Sequence, residues 1–265
     1  MTDLRDRPPA YEVIRECLAQ QAQRPPRSAL ARALGISPIR DDDAGWYRGA
    51  LGELAVGHQL AKAGPEWTVL HAIPVGAGDS DIDHLLIGPA GVFTLNTKRH
   101  RGKKVWVADH RILVAGQKVD HLRNARSEAS RASRALSLAR GRTVPVSAAL
   151  VFVGVDEVTI RSRPRDVHIW TERSLLRHLK KLKPQLHPDE VAAIVTVAVR
   201  DSTWSSKSAA PVQPGLIAEF AELVRVENVS RRIRIGWLLG LVAVVLAVGA
   251  PLILGLLTSA TLTVQ

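Results

Sequence analysis

Residues 81–98 read DIDHLLIGPAGVFTLNTK. The flanks Asp81–Ile87 and Val92–Lys98 are rich in β-formers, and Gly88-Pro89-Ala90-Gly91 between them carries turn chemistry. The spacing predicts a β-hairpin with Ile87 opposite Val92. Counting outward places Asp83 opposite Asn96 and Asp81 opposite Lys98. Side chains alternate along a strand, and directly paired residues share a face. Asp81, Asp83, Asn96 and Lys98 are therefore expected on one face, with Ile82, Leu86, Phe93 and Leu95 on the other. His84 falls with the apolar set and reads as a packed core histidine. A polar cluster backed by an apolar face presents a site while still packing a core. A solvated, ion-paired hairpin end would show the same pattern.

Outward from the hairpin, the pattern alternates helix and strand. Trp46–Lys62 has helical spacing, with Leu51, Leu54, Ala55 and His58 on one stripe and Gly64-Pro65 as the stop. Trp67–Ala72 reads as a strand, and Gly76-Ala77-Gly78 as the turn into the hairpin. Beyond Lys98 comes a basic loop, then short strands at Val105–Ala108 and Arg111–Val114. Val119–Leu138 is a long basic helix. Val146–Val153 (VSAALVFV) is apolar almost throughout, as expected of a strand covered on both faces. A strand at Val167–Trp170 and helices at Glu172–Leu182 and Pro188–Arg200 complete an α/β domain. Its bounds are read as residues 43–204, preceded by a loosely ordered Pro- and Arg-rich arm over 1–42 with one helical stretch at Tyr11–Gln23.

The C-terminal end differs in kind. Ser202–Pro214 is rich in Ser, Ala and Pro and reads as a linker, followed by an amphipathic helix over Gly215–Ser230; together they make a 205–234 connection. From Gly236 the sequence GWLLGLVAVVLAVGAPLILGLL carries no charge. At 1.5 Å per residue its roughly 22 residues span about 33 Å, one bilayer crossing. Residues 235–257 are thus expected to form a transmembrane helix, and 258–265 a short external tail. Arg231, Arg232 and Arg234 precede the run, so the positive-inside rule keeps the large N-terminal part in the cytoplasm. Gly236 and Gly240 form one small-xxx-small pair, a feature of helices that self-associate in membranes.

Composition narrows the partners. Lys and Arg number 36 against 25 Asp and Glu, a net charge of +11 over 265 residues. That excess favours nucleic acid or anionic lipid. Cys17 is the only cysteine, which excludes an internal disulfide and a thiolate metal site and suits a reducing compartment. The start MTDLRDRPPAYEVIRE lacks the apolar core of a signal peptide. No phosphate-binding glycine motif supports ATP or dinucleotide use.

Two acids and a lysine on adjacent strands suit metal-assisted phosphodiester hydrolysis. Carboxylates hold a divalent cation that polarises the phosphate and acidifies a bound water, while the amine offsets transition-state charge. The ordered series Gly52-Glu53, Asp81-Ile82-Asp83-His84, Gly88-Pro89-x-Gly91-Val92-Phe93 and x-Thr97-Lys98 with Gly102 resembles the NERD (nuclease-related) domain of the PD-(D/E)xK nuclease superfamily. The resemblance runs from about Trp46 to Trp204. It implies a restriction-endonuclease-like fold, a central mixed sheet flanked by helices, and a bacterial protein held by its span in the inner membrane. It also implies Mg²⁺ or Mn²⁺, with Glu53 as the first-helix acid, Asp83 as the metal-binding aspartate and Lys98 as the catalytic lysine. Asn96 stands where the family pattern has Glu or Asp; it offers an amide oxygen but no charge. Asp81, further along the same face, could compensate or simply pair with Lys98. The expected metal ligands are thus Asp83, Glu53, Asn96 and Asp81. Arg99, Arg101, Lys103 and Lys104 of the basic loop, with Arg123 and Arg126 of the long helix, are expected to hold DNA or RNA phosphates without reading sequence. The alternative is a nucleic-acid-binding module whose catalysis is weak or lost.

Overall fold

The structure, a computed structural model, describes residues 3–75, 81–204 and 212–262. The expected Gly76–Gly78 turn, most of the expected linker and the end of the expected tail lie outside these residues. The chain divides into two compact units, one of residues 1–17 and 45–214, the other of 18–44 and 215–265.

The first unit is built on a five-stranded mixed sheet. Its strands are β1 (Thr68–Pro74), β2 (Asp81–Gly88), β3 (Gly91–Arg99), β7 (Val146–Val153) and β9 (Val167–Thr171), side by side in that order. β1, β2 and β3 are antiparallel neighbours; β3, β7 and β9 run parallel. Between β3 and β7 the chain makes β4 (Lys104–Ala108), β5 (Arg111–Val114) and β6 (Gln117–Val119), which join β8 (Glu157–Ile160) in a second, four-stranded sheet. The two short strands expected after the hairpin thus belong to a separate sheet.

The helices cover both faces of the larger sheet. The helix expected over 46–62 is α3 (Ala44–Leu60), and its Val56 and Leu60 pack with Leu86, Phe93 and Leu95. On the other face α4 (His121–Arg140) buries Leu122, Ala125 and Ala129 against Ala148, Leu150 and Phe152. β7 is buried on both sides as its composition requires, since Ala149, Val151 and Val153 pack with the α3 cluster. α5 (Leu175–Leu179) and α6 (Pro188–Ala198) complete this unit. Pro188 opens α6 at a position whose N–H needs no helical partner.

The hairpin has the expected register, with Ile87 opposite Val92. Its pairing runs only from Gly88 and Gly91 to His84 and Leu95. Beyond that point β2 stays with β1 as far as Pro74 and Asp81, while β3 stays with β7 as far as Arg99 and Val153. The two strands therefore part into a fork whose arms carry Asp81 and Asp83 on one side and Asn96 and Lys98 on the other.

A kink accompanies the parting. The β1–β2 pairing skips Ala72, whose φ is 47°, in the left-handed region that a residue with a Cβ rarely adopts. The Ala72 carbonyl accepts a hydrogen bond from the buried Arg7 Nε at 3.0 Å. Alternation changes phase there: Ile82 and Leu85, three residues apart, pack in one cluster with Leu70 and Ile73. Strict alternation places Ile82 with Leu86, Phe93 and Leu95, and the kink overturns that expectation. His84 is a core residue as expected, with Nδ1 2.8 Å from that of His71. Burial lowers both rings, His71 to about 4, so the pair is neutral and one ring donates to the other.

Residues 1–42, read as a loose arm, contribute to both units. In the first, Leu4, Tyr11 and Ile14 are fully buried; the helix that begins there is α1 (Tyr11–Ala22). In the second, Ser28 caps α2 (Ala29–Ala33), and the segment clasps a long helix α7 (Leu216–Leu262). Arg27 Nη1 donates to Ser230 Oγ at 2.8 Å, Ser37 Oγ to Glu227 Oε2 at 2.5 Å and Trp237 Nε1 to the Ala33 carbonyl at 3.0 Å. Gly35, at φ 67°, allows the close approach: a Cβ there would sit 2.5 Å from the Ser230 carbonyl. Prolines and arginines give the segment the pattern of a loosely ordered arm, while a few apolar residues carry its burial.

α7 has no break between the expected amphipathic helix and the expected span. Among the described residues it is the one helix long and apolar enough to cross a membrane, over Leu216–Gly249. Leu238, Leu239, Leu241 and Leu246 on it are all exposed.

Candidate active site

The fork between β2 and β3 collects acids from three elements. Glu53 comes from α3, on a turn that lies close to the sheet because Gly52 has no side chain. A Cβ on Gly52 would meet Arg99 Cβ at 3.1 Å and Thr97 Cγ2 at 3.3 Å. Asp81 and Asp83 come from β2. Where backbone pairing ends, Asp83 Oδ2 accepts the Thr97 N–H at 2.6 Å, so a carboxylate replaces the missing strand neighbour. Asn96 and Lys98 come from β3.

Glu128 of α4 is the sixth member, and sequence reasoning missed it. Asn96 Nδ2 donates to Glu128 Oε1. Its signal was present in the helix pattern. Glu128 lies three residues after Ala125 and four before Ala132, within the apolar stripe of a helix whose other charges are basic. An acid on that stripe must be buried.

Burial dominates the chemistry of these groups. Glu53, Asp83, Asn96 and Glu128 are 5, 9, 3 and 6% exposed, too little for water to satisfy them. Glu53 Oε2, Asp81 Oδ2, Asn96 Oδ1 and Glu128 Oε2 are buried acceptors with no hydrogen-bond partner. Burial pushes the Glu53 carboxyl well up, and the charges of Asp83 and Asp81 push it further against Lys98. Burial, then Asp83, raises Asp81 to about 7. Burial likewise raises Asp83, opposed by the Lys98 ammonium and the Thr97 N–H. Glu128 reaches about 8 through burial and the Asp83 charge, with Lys98 and the Asn96 amide pulling the other way. A site of acids held this high is short of positive charge.

A divalent cation fits that deficit. The donors are all oxygens, the preference of Mg²⁺ and Mn²⁺, and the orphaned acceptors are the atoms a cation would satisfy. Among the described residues, no group of three His, Cys, Asp or Glu side chains is arranged as a metal cage. The Asn96 amide oxygen adds a donor of another kind.

The basic residues fall into two groups. Arg99 and Arg101 line a concavity of about 650 Å³ with Gly102, Gly154, Asp156 and Arg173. None of the fork's acids lines it, although β3 carries Lys98 and Arg99 side by side. Lys103 is exposed, and Lys104 lies 3.6 Å from Glu157. Arg123 pairs with Asp120 at 2.9 Å, and Arg126 makes a two-pronged pair with Asp166 at 2.7 and 2.8 Å. Arg173 was not anticipated from sequence, since it lies far along the chain from the basic loop.

Residues 48–153 match the family model of the nuclease-related domain, NERD. This segment is similar to the NERD domain. It contains the whole fork, from Glu53 on α3 through Glu128 on α4 to the end of β7, and leaves β9, α5 and α6 outside the matched span. No curated protein and no solved structure matches the chain. The NERD match accounts for a nuclease-like module on a mixed α/β frame.

Proposed function

We propose that this chain is a membrane-anchored, metal-dependent phosphodiesterase acting on DNA or RNA. The observation that carries the reading is the set of buried, unpartnered carboxylate and amide oxygens gathered beside a lysine in the open fork of a NERD-like domain. Glu53, Asp83 and Asp81 hold Mg²⁺ or Mn²⁺, with the Asn96 oxygen as a neutral ligand. The ion, when bound, polarises the scissile phosphate and acidifies a water molecule. Lys98 orients that water and offsets charge on the phosphorane. Its ammonium already opposes the raised acids Glu53, Asp83 and Glu128. Arg99, Arg101 and Arg173, in the adjoining concavity, hold the backbone phosphates on either side of the cut. Residues 235–257 cross the inner membrane once, with Arg231, Arg232 and Arg234 on the cytoplasmic side.

Full-length protein in detergent micelles should cut single- or double-stranded DNA or RNA with Mg²⁺ or Mn²⁺. Lys98→Ala should lower the rate roughly 100-fold or more. Equal inertness of wild type and Lys98→Ala across these substrates defeats the enzyme reading. The absence of a three-acid cage among the described residues favours a second reading, a binding module that holds nucleic acid without cutting it. That module binds with a steep salt dependence and no need for metal.

A further inference from the structure

We infer that Glu128 of α4 supplies the carboxylate that the site lacks at Asn96, so that a helix completes a ligand set whose other carboxylates stand on α3 and β2. The inference rests on the metal-dependent reading above and adds a ligand to it.

Three observations carry it. Glu128 lies on the apolar stripe of α4 between Ala125 and Ala132, where an acid gains nothing from packing. It is buried, and Oε2 has no donor. Its other oxygen takes the Asn96 amide N–H. That contact leaves Asn96 Oδ1 as a second orphaned acceptor, on a side chain 3% exposed. One hydrogen bond therefore presents two buried, unpartnered oxygens, one from a carboxyl and one from an amide, from elements on the α4 side of the fork.

The identity of residue 96 then has a physical reason. An aspartate at 96 would set a second carboxylate against Glu128 within hydrogen-bond distance, and both could not stay ionised. Asparagine donates instead. The Asn96–Glu128 pair thus delivers one negative charge once a cation displaces the Glu128 proton, the same as a single strand acid, from a position one side chain further out. An asparagine in the strand is compatible with a full ligand set when the helix carries the acid.

The test is Mn²⁺ binding by full-length protein in micelles, read by calorimetry and by loss of the free-Mn²⁺ electron paramagnetic resonance signal. Wild type should bind saturably. Glu128→Gln, which keeps size and shape, should weaken binding roughly tenfold or more. The exchange Asn96→Asp with Glu128→Gln should recover affinity to within a few-fold, because it returns the charge to the strand. If Glu128→Gln loses its helical circular dichroism, the exchange variant decides alone. Wild-type affinity in a folded Glu128→Gln overturns the inference and leaves the metal-dependent reading standing, as does a folded exchange variant that fails to bind. A wild type that binds no Mn²⁺ overturns both.

Discussion

Glu128 and Asp81 carry carboxyls raised to about 8 and about 7, chiefly by burial. In the unfolded chain such groups lose their protons near pH 4. Between pH 6.5 and 8 the folded state therefore holds protons that the unfolded state has released. Stability falls as pH rises whenever the folded state binds more protons, by up to about 1.4 kcal/mol per pH unit for each. The buried histidines work the other way up to about pH 7.5, because the unfolded chain still partly protonates them near their ordinary value of 6.5 while His71, His84 and His121 are held neutral in the fold. Above that range the carboxyls dominate, and the thermal midpoint of metal-free protein should drop as pH is raised from about 7.5 to 8.5. Glu128→Gln, which cannot ionise, should drop less, and Mg²⁺ should oppose the loss in wild type. Differential scanning fluorimetry across that pH range checks all three.

Legibility at this scale followed the sign of the local pattern. Asn96 and Lys98 follow from the two-residue period of β3, whereas Asp83 lies beyond the end of the hairpin pairing, where alternation changes phase. Glu53 was reached through the family series, and the Gly52 contact with Thr97 and Arg99 gives it a steric reason. Glu128 was passed over because five arginines dominate the reading of its helix. A single acid on the buried stripe says more than many bases on the wet one.

At the scale of elements, the double coverage of β7 and the register of the hairpin were both legible, because apolar content and turn chemistry fix them. The kink at Ala72 was not. Alanine carries no turn signal, and its left-handed backbone is imposed by tertiary contacts, with Arg7 Nε holding its carbonyl. Arg7 is itself fixed by an ion pair with Glu12 and by the Tyr11 ring, 4.7 Å from its guanidinium carbon. A β-branched residue is strongly disfavoured at such φ, so Ala72→Val should cost roughly 1–3 kcal/mol. It should also weaken Mn²⁺ binding by shifting Asp83, which the β1–β2 pairing skips together with Ala72. Arg7→Leu should destabilise by a similar amount through loss of the same support. Urea unfolding of the three proteins measures both, and an Ala72→Val protein as stable as wild type would show that the kink is not strained.

For the molecule as a whole, the charge excess and the apolar C-terminal run were plain in the sequence, whereas the division of residues 1–42 between two units was not. The contacts that draw residues 27–37 onto α7 join positions about 200 apart in the chain, and no local pattern records them. Leu238, Leu239, Leu241 and Leu246 of α7 are exposed, on a helix long and apolar enough to cross a membrane. Expressed in bacteria, the full chain should pellet with membranes and resist extraction by alkaline carbonate, while a chain ending at residue 230 should not. Fractionation followed by immunoblotting decides this, and a carbonate-soluble full chain would refute the anchor.

The bond between Asn96 and Glu128 also bears on how a dead enzyme is diagnosed. Pseudoenzymes are commonly declared by reading down one column of a motif and finding the wrong letter. Here the letter at 96 is wrong and its hydrogen-bonded partner on α4 is acidic, so competence has to be judged on the two side chains together and not on either position.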